Sequence, residues 1–174
     1  MKISLSGLAG SGTTSVVSLL SEKLNIQVIS AGIAFRGMAS ERNLSLEEFG
    51  KVADGDQAID RLIDLKQKEM SAGKDDIIAE GRLSGHMINS DLNVWLKAPL
   101  EIRSKRVAKR EGWPMKQALL KIKKRENCDF LRYKKYYQID LNDLSIYDLI
   151  IDSSKWNPES IVEIILSALQ ELKN

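Results

Sequence analysis

The sequence predicts an α/β fold, with a five-stranded parallel sheet and helices on both of its faces. Two observations support this prediction. Five short apolar runs alternate with longer segments whose apolar residues recur at helical spacing, which is the pattern of successive βαβ units. A Gly-rich turn lies between the first apolar run and the first helical segment. At 174 residues the chain has the length of one domain, 1–174, with its own core.

The first strand is predicted over residues 2–6, where apolar and polar side chains alternate. The helix over 13–24 follows from apolar residues at helical spacing, among them Val16 and Leu20. The remaining strands are predicted over 26–30, 76–80, 92–97 and 148–152, and the remaining helices over 33–42, 46–53, 57–72, 99–111, 115–137 and 159–172. Gly73 is placed to end a helix before the third strand, and Asn157-Pro158 is placed to begin the last helix.

Residues 7–14 read Gly-Leu-Ala-Gly-Ser-Gly-Thr-Thr and match the phosphate-binding loop G-x-x-x-x-G-K-[ST] except at its lysine. Thr13 stands at the lysine position, and Thr14 stands where the pattern has the hydroxyl that binds Mg²⁺. A strand before the loop and a helix after it are the context that the motif requires, because the loop N–H groups and the helix dipole then face a bound anion. The residues predicted to bind nucleotide phosphates are Gly7, Leu8, Ala9, Gly10, Ser11, Gly12, Thr13, Thr14 and Ser15.

Ligands of open parallel sheets bind where the strands end, so the residues after each predicted strand are candidates for a site. The second, third and fourth strands are followed by residues that suit an anion or a metal: Ser30, Gly32 and Arg36; Glu80-Gly81-Arg82; and Arg103, Arg106 and Arg110. Arginine suits a phosphate because its planar fork holds two phosphate oxygens at once. The sequence therefore predicts an anion-binding edge around the Gly-rich loop.

The charge of the chain is small overall and unevenly distributed. The formal net charge is +2, but residues 99–135 carry 13 Lys and Arg against 4 Asp and Glu. If the fold brings this basic segment to the loop, the segment can supply the positive charge that Thr13 lacks. For most of the lysines in the segment, however, the favoured interpretation is that they lie on a solvent-exposed helix face. The basic run 121–125 has no interleaved aromatic residues, so no nucleic-acid partner is expected.

Composition argues against several classes of function. No apolar stretch approaches the ~18 residues of a membrane span, so no membrane partner is expected. The first residues lead directly into the first strand without a signal peptide, so a cytoplasmic location is expected. A single cysteine, Cys128, excludes an internal disulfide, and together with a single histidine, His86, it makes a Cys/His zinc site unfavourable.

The motifs at the sheet edge resemble those of the nucleoside monophosphate kinases, and most closely those of the archaeal-type cytidylate kinases. The matching segments cover residues 7–14, 30–36, 80–82, 95–101, 125–133 and 143–149, in that order. The loop alone is generic, whereas the six segments together are specific. The resemblance implies the P-loop kinase fold with a short helical lid at about 112–137, an acceptor-binding insertion at about 31–72, and a monomeric state.

The resemblance also implies transfer of the γ-phosphoryl group of ATP to CMP, with dCMP as a second expected acceptor and Mg²⁺ as cofactor. Thr14 and Glu80 are the expected metal ligands, with Glu80 acting through water. The expected acceptor-binding residues are Ser30, Gly32, Arg36, Gly81 and Arg82. The expected catalytic residues are Arg106, Arg110, Arg125 and Arg132, with Arg103 as a further candidate. Seven residues separate Arg125 from Arg132, so both lie on one helix face.

Two features keep other functions open. Because Thr13 replaces the lysine of the loop, the protein could be a module that binds nucleotide without catalysis. The family that the chain resembles, however, includes members with Thr-Thr at this point of the loop. Leu83-Ser84 follows Arg82 where bacterial cytidylate kinases have an aspartate, so a kinase of UMP, AMP or another small metabolite is an alternative. Outside the site, His86 is interpreted as a surface or loop residue, and the aromatic residues Trp95, Trp156, Tyr133, Tyr136 and Tyr137 are interpreted as packing residues.

Overall fold

The computed structural model describes residues 1–44, 48, 49, 52, 58, 61, 62, 65, 69 and 71–172, except for the side chains of Phe35, Arg36 and Arg132. The predicted helices 46–53 and 57–72 lie largely outside the described residues, and so does much of the proposed acceptor-binding insertion. The Gly-rich loop and the strands around it lie within them.

Five strands and six helices have defined bounds in the described part of the chain. In order they are β1 (Lys2–Gly7), α1 (Thr13–Leu24), β2 (Val28–Ser30), α2 (Ala31–Glu41), β3 (Ile77–Glu80), α3 (Ser84–Met87), β4 (Leu92–Lys97), α4 (Leu100–Glu111), α5 (Met115–Tyr137), β5 (Leu149–Asp152) and α6 (Pro158–Glu171). The predicted bounds of α1, β4 and α5 are confirmed, and the other predicted elements among these begin and end within two residues of their predicted bounds.

The five strands form one parallel sheet in the order β2-β3-β1-β4-β5. β1 is central, with its Leu5 opposite Glu80 of β3 and Val94 of β4. Because the strands run in the same direction, β1, β3 and β4 end at one edge, at Gly7, Glu80 and Lys97. The predicted parallel sheet is thereby confirmed, and the loop after β1 lies in the middle of the edge at which such sheets bind ligands.

Both faces of the sheet are buried, because successive side chains of a strand point to opposite faces. On one face α1 and α6 form a continuous apolar cluster with β1 and its neighbours, which includes Ile3, Val16 and Ile165. On the other face Ala79 of β3 clusters with Ile88, directly after α3. The loop and its helix α1 are therefore anchored in the main core.

Two differences from the predicted elements have local causes. α2 begins at Ala31, directly after β2, because the Ser30 hydroxyl accepts a hydrogen bond from the Ile33 N–H at 3.0 Å and caps the helix. The short helix α3 is absent from the sequence prediction, because its single turn is too short to show an apolar periodicity.

The long helix α5 packs on the rest of the molecule at two places. In its first half Ala118 and Ile122 form an apolar cluster with Val107 of α4. Near its end Tyr133 clusters with Leu83, which confirms the packing role predicted for this tyrosine. α5 has 23 residues and a basic composition. Neither it nor any other helix in the described ranges is long and apolar enough to cross a membrane.

Candidate active site

The loop between β1 and α1 has the geometry of an anion-binding loop. Gly12 is the N-cap of α1 and has no side chain to accept hydrogen bonds from the first N–H groups of the helix. Gly10 and Gly12 have φ angles of +81° and +95°, which favour glycine. At Gly10 an added Cβ would lie 2.5 Å from the carbonyl oxygen of Arg103, so the close approach of α4 also requires glycine. The first N–H groups of α1 are thus available to a phosphate.

Three side chains meet where the loop passes the end of β3. The hydroxyl groups of Thr13 and Thr14 both donate to Oε1 of Glu80, at 2.9 and 2.6 Å. The parallel register brings them together, because β3 lies next to β1 and ends beside the loop. The two residues expected to bind the metal, Thr14 and Glu80, are therefore neighbours in space although 66 residues separate them.

These oxygens fit a magnesium site. Mg²⁺ prefers hard oxygen ligands, keeps several waters, and is usually bound by one or two protein groups together with substrate phosphates. Thr14 and Glu80 offer one hydroxyl and one carboxylate beside the loop, which is that kind of donor set. The Thr13 hydroxyl binds the same carboxylate oxygen. The position that carries lysine in the general motif therefore contributes a hydrogen bond to Glu80 and no positive charge.

Arg106 of α4 brings positive charge to the loop. Its Nη1 donates to the carbonyl oxygens of Gly10 and Ser11 at 3.2 and 3.3 Å. It also binds Ser153 twice, with Nη1 at 2.9 Å from the hydroxyl and Nη2 at 2.7 Å from the carbonyl oxygen. The predicted approach of the basic segment to the loop is thus observed for Arg106, whose described hydrogen bonds go to the loop backbone and to Ser153.

Ser153 is a site residue that the sequence reasoning missed. It directly follows β5, is 4% exposed, and donates its hydroxyl to the Ser11 carbonyl oxygen at 2.5 Å. The signal that could have found it is the rule applied to the other strands, because the residue after the fifth strand must also lie at the ligand-binding edge. Together Ser153 and Arg106 fix the carbonyl groups of Gly10 and Ser11 by hydrogen bonds.

We expect Ser153→Ala to raise the KM for ATP about tenfold, because a buried polar group left without its partner costs about 1–3 kcal/mol and here the loss disturbs the phosphate loop. Initial-rate kinetics with ATP varied at saturating acceptor measures this effect. Ser154→Ala is the matched control, since Ser154 is exposed in the same turn and binds Asp152 rather than the loop. Equal KM values for the two variants would contradict the assigned role of Ser153.

Arg103 supports the loop from beneath and is buried. Its Nη1 donates to the Ala9 carbonyl oxygen at 3.1 Å, and its Nε donates to the Ala98 carbonyl oxygen at 2.9 Å. It also forms an ion pair with Glu126 of α5. With its side chain 7% exposed and bound in this way, Arg103, a further catalytic candidate of the sequence analysis, supports the loop backbone in the structure.

A cavity of about 520 Å³ opens from the loop. Its lining includes loop and α1 residues, α4 arginines and residues after β5: Gly12, Thr13, Thr14, Arg106, Arg110, Ser153 and Trp156. The Arg110 side chain is 65% exposed, with its Nε at 2.7 Å from Glu111. Trp156 is 51% exposed and lines the cavity, so of its two predicted positions, core or hydrophobic edge, the core position is wrong, whereas Trp95 is buried as predicted. The cavity has room for a nucleotide whose phosphates lie at the loop.

The residues expected to bind the acceptor lie at the ends of β2 and β3. Ser30 is buried and caps α2, and Gly32 is exposed in the first turn of that helix. Arg36 lies one turn further along α2, and its side chain lies outside the described residues. Gly81 extends the sheet, with its N–H donating to the Leu5 carbonyl oxygen at 3.3 Å. The backbone thus brings these residues to the same edge as the phosphate loop.

Arg82 has a carboxylate partner on α5. Its Nε lies 2.8 Å from Oδ2 of Asp129, and both side chains are largely buried. The sequence reasoning did not identify Asp129, because 47 residues separate it from Arg82 and no local pattern links them. The acceptor end of the site is therefore in direct contact with α5.

The two arginines expected on the lid belong to α5. Arg125 is exposed, and Arg132 follows seven residues later on the same helix. The side chain of Arg132 lies outside the described residues. Whether these arginines reach the transferred phosphoryl group stays a prediction.

His86 of α3 contacts the ring of Tyr147. The two rings meet edge to face with their centroids 6.3 Å apart. Burial lowers the pKa of His86, and the Asp143 carboxylate opposes that shift. Burial raises the pKa of Tyr147 to about 12. His86 is thus a half-buried packing residue that is neutral at pH 7, instead of the surface or loop residue predicted.

Solved structures confirm the fold. The shikimate kinase of Aquifex aeolicus aligns with 98% of this chain and 97% of its own, with a TM-score of 0.62 and 19% identity. An uncharacterized protein from Eubacterium ventriosum aligns over 98% of both chains, with a TM-score of 0.72 and 20% identity. At these identities the likeness concerns the fold alone, which is the predicted P-loop kinase fold.

Sequence relatives cover almost the whole chain. The cytidylate kinase of Methanocella arvoryzae is 50% identical over 173 residues, which are 99% of each chain. The cytidylate kinase of Pyrococcus abyssi is 48% identical over 171 residues, which are 98% of this chain and 94% of that one. Residues 2–155 also match the cytidylate kinase-like family as a whole. Since the matched range includes the phosphate loop, Glu80, Arg82 and the whole of α5, the chain belongs to the cytidylate kinase-like family.

Proposed function

We propose that the protein transfers the γ-phosphoryl group of ATP to CMP, and to dCMP as a second acceptor, giving CDP and dCDP. The observation that carries the proposal is the contact of Thr14 and Glu80 at the phosphate loop, which joins a magnesium-type donor set to an anion-binding loop. The full-length relatives that are named cytidylate kinases support CMP as the acceptor. A kinase of another small acceptor is not favoured by these relatives, and neither is a module that only binds nucleotide.

At the donor end, the loop N–H groups from Gly10 to Thr14 bind the β-phosphate of ATP. Thr14 and Glu80 hold Mg²⁺, which neutralises charge on the phosphates when it is bound. Arg106 and Ser153 bind the carbonyl groups of Gly10 and Ser11, which fixes the conformation of the loop. The part of the cavity beside Trp156 receives the rest of the nucleotide.

At the acceptor end, Arg36 and Arg82 bind the phosphate of CMP, with Ser30, Gly32 and Gly81 shaping the site. The nucleophile is an oxygen of this phosphate, which is already anionic, so the reaction needs no general base. His86, the histidine of the chain, packs edge to face on the Tyr147 ring. The protein's task is to bring the two phosphates into line and to stabilise the charge of a loose transition state.

The positive charge for this task comes from the basic segment. Arg110 lies on the wall of the cavity, and Arg125 and Arg132 lie on α5. We infer that residues 112–137 act as a lid whose closure brings the α5 arginines to the transferred group and excludes water. A cytoplasmic location and a monomeric state belong to the same proposal.

The test is phosphoryl transfer from Mg·ATP to CMP, dCMP, UMP, AMP and GMP, with Thr13→Lys assayed alongside. We expect the highest kcat/KM for CMP and the next highest for dCMP. A preference for UMP or AMP would assign the chain to a different acceptor. ATP binding without turnover of any of the five would leave a nucleotide-binding module as the function.

A further inference from the structure

Two carboxylates of α5 are buried against arginines of the two proposed substrate sites. Glu126 and Asp129 are three residues apart, so they lie on the same face of the helix, and they are 9% and 3% exposed. Glu126 forms an ion pair with Arg103, which supports the phosphate loop. Asp129 forms an ion pair with Arg82, the proposed ligand of the acceptor phosphate. One face of α5 therefore contacts both the donor end and the acceptor end.

The two ion pairs differ in their hydrogen bonding. Both Nη atoms of Arg103 donate to Glu126, and its Nη1 and Nε also donate to two backbone carbonyl oxygens. Nε of Arg82 lies 2.8 Å from Oδ2 of Asp129, yet its N–H is not directed at that oxygen and the two buried atoms form no aligned hydrogen bond. The contact between Arg82 and Asp129 is thus mainly coulombic, whereas that between Arg103 and Glu126 is a fixed support.

We propose that Asp129 holds Arg82 in the place of the acceptor phosphate, and that the acceptor displaces Asp129 when it binds. This inference rests on the proposed function, because it takes Arg82 as a ligand of the acceptor phosphate. A phosphate monoester carries more negative charge than a carboxylate and offers three oxygens to the guanidinium fork, so it forms the stronger directed hydrogen bonds. The exchange leaves Arg82 paired in both states, which avoids the cost of an unpaired buried charge.

The exchange also changes the environment of α5. When Arg82 turns to the acceptor, Asp129 gives up its ion pair with Arg82, which joins this part of α5 to the end of β3. The end of α5 that carries Asp129 and Arg132 then rearranges, while Glu126 keeps the helix attached to Arg103. Acceptor binding is thereby coupled to movement of the helix that carries the proposed lid arginines.

Asp129→Asn removes the charge of the side chain and keeps its size. We expect the Kd of CMP, measured by calorimetry without ATP, to fall about tenfold, within the usual range for two coupled binding events. The matched control is Asp140→Asn, which removes an exposed carboxylate just after the same helix and is expected to change the Kd of CMP by less than about twofold, because exposed charges are screened by solvent. An unchanged or raised Kd in Asp129→Asn overturns the inference.

A measurement on the unaltered protein covers the case in which Asp129→Asn does not fold. Amide hydrogen exchange along α5 is compared with and without CMP, in the absence of ATP. We expect CMP to change the exchange of residues 126–133 and to leave that of residues 115–122, which include the contacts with α4, unchanged. Equal exchange of residues 126–133 in the two conditions overturns the inference.

Arg82→Ala separates the failure of this inference from the failure of the proposed function. If Arg82 binds the acceptor phosphate, its loss raises the Kd of CMP about tenfold or more, because hydrogen bonds to a charged group are removed. An unchanged Kd means that Arg82 is not an acceptor ligand, so its assignment and the exchange both fail. A raised Kd in Arg82→Ala, combined with an unchanged Kd in Asp129→Asn, overturns the exchange alone.

Discussion

Replacing Glu80 with Gln is expected to lower kcat by about 10²-fold or more, in the range seen when one electrostatic stabiliser is lost. Glu80 ends β3 beside the phosphate loop, and its Oε1 accepts hydrogen bonds from the hydroxyl groups of Thr13 and Thr14 at 2.9 and 2.6 Å. The amide of Gln keeps the size of the side chain but has no negative charge for Mg²⁺ or its bound waters. We therefore expect the variant to neutralise the charge of the bound phosphates less well, while the loop keeps its fold.

The measurement is kcat at saturating ATP and CMP over a range of Mg²⁺ concentrations. We expect the Mg²⁺ concentration for half-maximal rate to rise as kcat falls. Thr13→Val is the control, because it removes one of the two hydroxyl groups bound to the same oxygen and leaves the carboxylate in place; its kcat is expected to fall less. A kcat for Glu80→Gln that matches that of Thr13→Val, with unchanged Mg²⁺ dependence, would give Glu80 a structural role only.

The elements that the sequence predicts well are those whose signals lie within one segment. The loop after β1 has glycines at the positions that need them, and α5 carries its helical periodicity over 23 residues. β2, in contrast, has only the three residues Val28–Ser30, and its first residue was placed two positions too early. A strand of this length is determined by its pairing with β3, which no local pattern contains.

The arginines of α4 mark the limit of sequence reasoning about the site. Arg103, Arg106 and Arg110 recur at spacings of three and four, so the sequence alone treats them as one face of a helix. In the structure Arg103 is buried against Glu126, Arg106 binds the loop carbonyl groups, and Arg110 is exposed on the cavity wall. The depth at which each one lies depends on how α4 packs between the loop and α5, and that packing is a tertiary property.

Replacing Arg110, Arg125 or Arg132 with Ala is expected to lower kcat by about 10²-fold or more for each, the effect of removing one stabiliser of transition-state charge. Arg110 lines the cavity that begins at the loop, and Arg125 and Arg132 lie on the proposed lid helix. The chain needs charge from these residues because Thr13 contributes none at the lysine position of the motif. Single-turnover rates at saturating ATP and CMP separate this effect from product release.

Lys109→Ala and Lys124→Ala are the matched controls. Each control removes one exposed positive charge next to Arg110 or Arg125 on the same helix. The net charge of the basic segment therefore changes by the same amount in a control as in the corresponding arginine variant. We expect kcat of the two control variants to stay within about threefold of the unaltered protein, since exposed charges are screened by solvent. If all three arginine variants stay in that range as well, the basic segment has no catalytic role.

The link between these arginines and Thr13 can be measured directly with Thr13→Lys. If the arginines compensate for the missing lysine, a lysine at position 13 should raise the rate of Arg110→Ala by more than it raises the rate of the unaltered protein. The difference is the coupling term of a double-mutant cycle, which for residues that share one ligand is expected to be about 0.5–3 kcal/mol. A coupling term of zero would mean that Arg110 acts independently of the loop. The hydrogen bond from Thr13 to Glu80 would then be the feature that makes threonine acceptable at this position.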